Sequence, residues 1–231
     1  ALAQAHAFAR ALRREPDAPT VRIHDDPAAI HGIWAIRESG LGASAFVPGE
    51  PDTWEGWEDS AVPVEHVGHY LRDLRALYEK HGYRGALYGH FGQGCIHTRI
   101  DFDLATAEGI ARFERFTQEA AELVVGRYGG SISGEHGDGQ ARGDLLRVMF
   151  GDELLEAFRE FKAIWDPDGL MNPGKVIDAR PRTADLRLGA GYRPWEPATH
   201  FAYPDDHGSF AHAALRCVGV GKCRRHEGGT M

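Results

Sequence analysis

Cysteine is scarce in this chain of 231 residues, which contains only Cys95, Cys217 and Cys223. Three unevenly spaced thiols cannot form a disulfide framework, so reduced thiols or metal ligands are expected. Long apolar runs are also missing, because no stretch approaches the roughly 20 residues that cross a bilayer. No basic and then apolar signal peptide is recognised at the N-terminus. These absences lead us to expect a cytoplasmic protein without a transmembrane segment.

Positive charge is in short supply as well. Lysine and arginine number 26 against 34 acidic residues, which gives a formal net charge of -8. Binding to a phosphate backbone requires a basic surplus, so nucleic acid is excluded as a partner. Hydrophobic residues make up 42% of the chain, and this is enough to bury a core. A folded domain is therefore expected.

Apolar residues recur at helical spacing in several segments. Helices are predicted over residues 1–14, after Asp26-Pro27, from Pro63 to Gly82, over 106–127, and in two runs at 145–150 and 153–164. In the second helix Asp26 is the expected N-cap and Pro27 the first helical residue. The side of that helix expected to be buried carries Ile30, Ile33, Trp34 and Ile36.

Two short strands are predicted at residues 85–90 and 95–102. The segment Phe91-Gly-Gln-Gly94 between them supplies the glycines of a tight reversal, so the strands form a hairpin. Residues 48–59 lack any period and predict a loop. Beyond residue 180 the composition changes to proline, glycine and isolated aromatics. We therefore predict one domain over residues 1–180, and an extension over 181–231 that starts as a linker.

The hairpin carries two histidines, His90 and His97, and a glycine-flanked pair Glu135-His136 follows 38 residues later. Imidazoles on neighbouring strands can converge on one ion, and a carboxylate on a glycine-rich loop can approach as third ligand. Glu135 is the expected ligand, while His136 points in a different direction and is the candidate general base. The alternative is structural, with hydrogen-bonded histidines in the hairpin and a capped turn at Glu135-His136.

Three motifs in order resemble the C-terminal domain of FAD-linked oxidases. They are Tyr88-Gly-His-Phe-Gly-Gln-Gly-Cys-Ile-His97, Gly130-Ser-Ile-Ser-Gly-Glu-His-Gly-Asp-Gly139 and Trp165-Asp-Pro-Asp-Gly-Leu-Met-Asn-Pro-Gly-Lys175. The family belongs to the vanillyl-alcohol-oxidase and p-cresol-methylhydroxylase superfamily, which includes D-lactate, glycolate and D-2-hydroxyglutarate dehydrogenases. The resemblance implies an α+β fold, with an antiparallel sheet covered by helices and here an irregular C-terminal extension.

The resemblance also implies a chemistry. FAD is held mainly by a separate N-terminal domain of the same polypeptide, and the substrate is a small D-2-hydroxy acid. His90, His97 and Glu135 are expected to hold zinc or manganese, and His136 to take the hydroxyl proton as hydride passes to flavin. Arg37 resembles the carboxylate-binding arginine of the family, a role that suits a guanidinium fork. Its alternative is an exposed arginine at a helix end.

Two positions depart from the family pattern, namely Cys95, where asparagine is usual, and Arg99, where a small polar residue is common. Arg99 shares a strand face with His97, so it either adds a cation for a second substrate carboxylate or pairs with Asp101 at the surface. Asn172 and Lys175 lie in a loop that either meets the flavin edge or simply ties down the end of the domain.

Cys217 and Cys223 are separated by five residues and flanked by arginines. This segment is similar to the entrance of the iron–sulfur module that follows the flavoprotein in some long relatives. The resemblance implies a 4Fe-4S cluster downstream, but two thiolates cannot complete a four-ligand site within this chain. If its electron acceptor lies at a membrane, the protein would be peripheral to that membrane.

Two other functions fit the same residues. A metallohydrolase without flavin would use His90, His97 and Glu135 to activate water. A non-catalytic interaction domain would keep the histidines in structural roles. Metal content separates the interaction domain from both enzymes, and hydrolysis by the chain alone separates the two enzymes.

Overall fold

A computed structural model describes residues 1–224 of the chain. It contains two compact units, Ala1–Ala43 and a second unit that begins at Ser44. The first unit contains the helices α1 (Leu2–Leu12) and α2 (Pro27–Glu38). A short helix, α3 (Gly40–Ala45), spans the division. Both longer helices lie where the apolar periodicity predicts them.

Helix α2 begins as predicted but does not bury its apolar side. Asp26 is the N-cap, and its carboxylate accepts a hydrogen bond of 2.8 Å from the backbone N–H of Ala29. The expected burial is wrong, because the four apolar side chains are each at least 48% exposed: Ile30, Ile33, Trp34 and Ile36. Helical periodicity identifies the apolar side of a helix, but it does not predict whether another element packs against that side.

The second unit combines helices with one small antiparallel sheet. Its elements are β1 (Ser60–Ala61), α4 (Val67–His81), β2 (Gly85–His90), β3 (Cys95–Ile100), α5 (Ala107–Glu122), α6 (Leu146–Trp165) and α7 (Phe210–Leu215). Short 3-10 helices lie at Val64–His66, Phe91–Gln93, Gly143–Leu145, Pro204–Asp206 and Lys222–Arg224, and a π-helical turn lies at Leu123–Arg127. The strands are ordered β1-β3-β2. The predicted α+β class is confirmed.

The hairpin of β2 and β3 is also confirmed, with Tyr88 paired to His97 and His90 paired to Cys95. Its turn depends on Gly94, which has a φ of +79° and lies so close to the carbonyl oxygen of Val62 that a Cβ would sit 1.9 Å from it. A side chain at this position would clash with the backbone that precedes α4.

Strand β3 is buried along its whole length. Ile96 and Ile100 belong to the hydrophobic core. Since side chains alternate between the faces of a strand, the intervening residues Cys95, His97 and Arg99 share the opposite face. A buried row of polar side chains therefore runs along the central strand.

The core packs α4 and α5 against the sheet. Its largest fully buried apolar side chains are Trp57, Tyr70, Leu74, Ile96, Ile100, Phe116, Ile132, Leu145 and Leu146. The two predicted runs after residue 143 form the single helix α6, which is kinked where Gly151 adopts a φ of 72°. None of the helices within residues 1–224 is long and apolar enough to cross a membrane.

The segment after α6 is irregular but attached to the second unit. The buried guanidinium of Arg182 donates to the Thr117 hydroxyl (2.6 Å) and to the Asp144 carboxylate (2.7 Å). Gly189 N–H donates to the Leu104 carbonyl over 2.8 Å. The predicted extension is thus irregular as expected, while the domain boundary near residue 180 stays a prediction.

Candidate active site

Three imidazoles surround one carboxylate oxygen. The Nε2 atoms of His97, His90 and His136 lie 3.0, 3.2 and 3.7 Å from Oε1 of Glu135. His97 lies in β3 and His90 at the end of β2, while Glu135 and His136 are in the loop between α5 and α6. The four residues named from the sequence are therefore neighbours in space, although this contact does not by itself assign their roles.

His90 and His97 approach each other diagonally across the hairpin. The register pairs His97 with Tyr88 and His90 with Cys95, so the two histidines are not directly opposite. Their ring centroids are 5.6 Å apart. A diagonal pair on one face of an antiparallel ladder is still within reach of long side chains.

Glu135 and His136 do not point apart, and the expectation that they do is wrong. His136 Nε2 lies 3.7 Å from the Glu135 carboxylate, and the His136 ring stacks on His97 with centroids 4.9 Å apart. The expectation assumed an extended segment, in which consecutive N–H groups point to opposite sides. Here the N–H groups of both residues donate to the carboxylate of Asp59, so the backbone turns.

Asp59 is a site residue that sequence reasoning missed. It follows Trp57-Glu58 immediately before β1, is fully buried and has a φ of 73°. Burial alone would raise its pKa, but hydrogen bonds from the Ser133 hydroxyl and from the N–H groups of His136 and Glu135 lower that pKa to about 2. No local pattern distinguishes this carboxylate among the 34 acidic residues of the chain. Its importance depends on contacts over more than 70 positions in sequence.

His97 is buried between two carboxylates. Burial lowers its pKa, while Glu58 and Glu135 counteract part of that effect, so the ring is neutral at pH 7. Its Nδ1 lies 3.7 Å from Oε1 of Glu58, and its Nε2 lies 3.0 Å from Glu135. A neutral imidazole has one N–H, so one of these two nitrogens faces a carboxylate without a proton between them. A cation beside Nε2 would resolve that conflict.

The donor set fits a divalent ion. Donor atoms around a tetrahedral ion with bonds of about 2.1 Å are roughly 3.4 Å apart. The distances from the Glu135 oxygen to the Nε2 atoms of His97 and His90, 3.0 and 3.2 Å, lie close to that value. Nitrogen and carboxylate ligands suit zinc and manganese. A second possible donor group consists of Asp59, His97, Glu135 and His136, whose oxygen and nitrogen atoms lie within 4.8 Å of one another, and this group does not include His90.

Comparison with known proteins places this chain in a family. The model of the FAD linked oxidases, C-terminal domain, matches residues 1–176. The chain belongs to this family. The family implies FAD as cofactor, and its members are oxidoreductases.

Relatives of this FAD-linked oxidase domain act on hydroxy acids, as their names state. D-2-hydroxyglutarate dehydrogenase of Haemophilus influenzae is 32% identical over 155 residues, which are 67% of this chain and 15% of the relative. The enzyme of that name from Pseudomonas putida is 30% identical over 211 residues, which are 86% of this chain and 19% of the relative. Glycolate oxidase subunit GlcD of Escherichia coli is 32% identical over 187 residues, which are 80% of this chain and 36% of the relative. The chain thus spans about a seventh to a third of these relatives.

Arg99 of this FAD-linked oxidase domain is buried, with only 1% of its surface exposed. Its guanidinium donates to the Glu55 carboxylate (2.8 Å) and to the Thr53 carbonyl (3.2 Å). The suggested surface pair with Asp101 is wrong, because that carboxylate accepts the backbone N–H of Arg84 instead. The loop before β1 covers the polar face of β3. The alternation of side chains along a strand cannot predict this cover. Binding of a second substrate carboxylate by Arg99 stays a prediction.

Arg37 lies in the first compact unit, separate from the unit of the histidines. It is exposed near the end of α2, and its guanidinium lies 5.9 Å from the centroid of the Trp34 ring. Its role as a ligand of the substrate carboxylate stays a prediction.

The loop after α6 carries the two residues expected at the flavin. Lys175 donates to the side-chain oxygen of Gln140, and Val176 N–H donates to the Gly139 carbonyl over 2.8 Å. Asn172 is exposed with a φ of 47°, and within residues 1–224 its side chain has no hydrogen-bond partner. The pairing of its amide with a flavin ring stays a prediction. The contacts of Lys175 support the loop and leave its cofactor role a prediction.

Three free thiols complete the set of residues expected to carry chemistry. Cys217 and Cys223 are exposed, and Cys217 lines a cavity of about 200 Å³ together with Arg99 and Trp54. Ligation of iron by these two thiols stays a prediction. Cys95 is buried, and its thiol donates to Asp59 over 3.2 Å. This third thiol lies at the candidate metal site.

Proposed function

We propose that this chain is the substrate- and metal-binding part of an FAD-dependent oxidoreductase that oxidises a small D-2-hydroxy acid. The observation that carries the proposal is the approach of three imidazole nitrogens to one Glu135 oxygen within 3.7 Å. The names of the relatives support the substrate class, since they specify D-2-hydroxyglutarate and glycolate.

The residues divide the work as follows. His90, His97 and Glu135 hold the ion, and His97 suits ligation because its imidazole is neutral at pH 7. His136, stacked on His97 and half exposed, takes the proton of the substrate hydroxyl at its ring nitrogen. A divalent ion held by these residues would polarise the α-hydroxyl, and FAD would supply the acceptor for the hydride of the α-carbon.

Substrate selection is assigned to two arginines. Arg37 binds the carboxylate next to the hydroxyl, and Arg99 binds a second carboxylate where the substrate has one. The guanidinium of Arg99 is held by Glu55, and its Nε has no hydrogen-bond partner among the described residues. A dicarboxylic hydroxy acid such as D-2-hydroxyglutarate would use both arginines, whereas glycolate and D-lactate would use only Arg37.

Flavin reduction tests the proposed activity. In the intact flavoprotein without oxygen, we expect D-2-hydroxyglutarate, D-lactate or glycolate to bleach the flavin absorbance. Glu135→Gln should lose the bound metal and slow the bleaching at least about 100-fold. Absence of bleaching with all three acids would refute the substrate class. Metal-dependent hydrolysis by the chain alone would instead support a metallohydrolase, and a protein without bound metal would support structural histidines.

Discrimination between substrates tests the role of Arg99. Arg99→Met should raise the KM for D-2-hydroxyglutarate by about 10-fold or more and change the KM for D-lactate little, because only the former has a second carboxylate. Equal changes for both acids would show that Arg99 supports the fold instead of the substrate.

A further inference from the structure

Asp59 and Glu135 are both carboxylates of the site, but their oxygens face different groups. Glu135 Oε1 faces imidazole nitrogens. The Asp59 oxygens accept from the backbone N–H groups of Glu135 (3.0 Å) and His136 (2.7 Å) and from the Cys95 thiol (3.2 Å). The Ser133 hydroxyl donates to the same carboxylate. A carboxylate offers about four acceptor directions, so these donors leave none for an ion.

Asp59 binds the loop of Glu135 and His136 through its backbone as well. Its own carbonyl accepts the N–H of Gly134 over 2.7 Å. The N–H groups of three consecutive residues, 134 to 136, therefore all end on Asp59. The Ser133 hydroxyl, held by Asp59, accepts the N–H of Gly137 over 2.8 Å. The turn from residue 133 to 137 is therefore held by Asp59, either directly or through the Ser133 hydroxyl.

This arrangement is costly, which argues for a specific purpose. A fully buried carboxylate loses its hydration, and a non-glycine residue with a φ of 73° adds backbone strain. The hydrogen bonds from the loop offset these costs. Backbone strain and a buried carboxylate are thus concentrated at the residue that contacts the backbone of both Glu135 and His136.

We propose that Asp59 is a positioning residue, which sets the loop of Glu135 and His136 in its ligating geometry before any ion or substrate binds. It acts through the backbone of these residues and contacts no substrate. The consequence for metal binding rests on the proposed function, but the order of the loop does not. Asp59 accordingly orients the residues around the ion and does not contact the ion itself.

The test is Asp59→Asn in the full chain. Asparagine has the same shape, but its NH₂ group cannot accept a hydrogen bond from the loop. We expect the amide protons of Glu135 and His136, which donate to the Asp59 carboxylate, to exchange at least about 10-fold faster in the metal-free protein. The Gly134 amide, whose acceptor is the backbone carbonyl of Asp59, should change less, and the amides of β3 should exchange at the original rate. We also expect the dissociation constant for Zn²⁺ or Mn²⁺ to rise roughly 10- to 100-fold.

Asp144→Asn is the matched control. Asp144 also accepts from a backbone N–H and from a side chain, in its case both from Arg182. This variant should leave the exchange of residues 134–136 and the metal dissociation constant within about 2-fold of the original. A purely structural role of Asp59 would accelerate exchange throughout the chain and leave the metal dissociation constant of the folded protein unchanged, and this result would overturn the proposal.

Ser133→Ala covers the case in which Asp59→Asn does not fold. It removes one donor to Asp59 and should cause the same changes to a smaller extent, about 3-fold or more. Unchanged exchange and metal affinity in a folded Ser133→Ala protein would then overturn the proposal. If the original protein binds no metal, the proposed function fails, whereas the exchange measurement still decides the role of Asp59.

Discussion

At the scale of single residues, the polar face of β3 shows how burial alters chemistry. Cys95, His97 and Arg99 are all buried, and each contacts a different carboxylate: Asp59, Glu135 and Glu55. Burial disfavours a charge on the cysteine and the histidine, while the arginine keeps its charge through its ion pair. Three adjacent positions on one strand face thus end as a thiol, a neutral imidazole and a cation.

The thiols provide a first prediction. Burial raises the pKa of Cys95 to about 12, with Asp59 adding to the effect, whereas Cys217 is exposed. Because the thiolate is the reactive form, iodoacetamide at pH 8 should modify Cys217 readily and leave Cys95 unmodified until the protein unfolds. Peptide mass spectrometry with and without urea measures both sites. Rapid labelling of Cys95 in the folded protein would show that the site is open.

At the scale of elements, the hairpin depends on one glycine and tolerates a change at its neighbour. We expect Gly94→Ala to lower the free energy of unfolding by at least about 2 kcal/mol, because it adds a clash with Val62 to an unfavourable φ. Gly92→Ala is the control: no heavy atom lies within 4 Å of its Cβ position, so the change should be below about 1 kcal/mol. Urea denaturation measures both, and equal effects would contradict the assigned turn.

The end of α6 provides a prediction about pH. The Lys162 ammonium and the N–H groups of Met171 and Leu170 hold the pKa of Asp166 below its usual 3.8. A lowered pKa in the folded state contributes stability above pH 3.8, and this contribution disappears as the pH falls through the folded-state pKa. The stability lost in Asp166→Asn should therefore be constant above about pH 5 and shrink below pH 4.

Chemical denaturation of both proteins between pH 3 and pH 8 measures this difference. Glu153→Gln is a suitable control, since Glu153 is exposed on the same helix. A constant difference for Asp166→Asn down to pH 3 would contradict the assigned hydrogen bonds.

At the scale of the whole molecule, Arg182 links the irregular extension to α5. Arg182→Met should lower the free energy of unfolding by about 3 kcal/mol, because it leaves Asp144 and Thr117 without their buried partner. Arg180→Met removes an exposed pair with Asp185 and should change it by less than about 1 kcal/mol. Thermal or urea denaturation compares the two. Equal small effects would show that the extension contributes nothing to the stability of the second unit.

Local patterns predicted the elements of the fold well. The stop of α4 at Gly82, the hairpin of β2 and β3, and the break between two helical runs at Gly151 are features of adjacent residues, so they can be read from the chain. The exposure of the apolar side of α2 could not be predicted from the sequence, because exposure depends on what covers a helix. The ion-pair partner of Arg99 could not be predicted either, since Glu55 is 44 positions away.

The sequence by itself determined the family, the longer helices and the hairpin, and it named His90, His97, Glu135 and His136 as candidate site residues, because motif, spacing and periodicity are properties of short segments. Only the tertiary structure decided how the four meet. It turned the loop so that Glu135 and His136 face the same point, and it brought Asp59 under their backbone from more than 70 positions away. Burial and long-range hydrogen bonding depend on which segments pack together, and no short pattern records them.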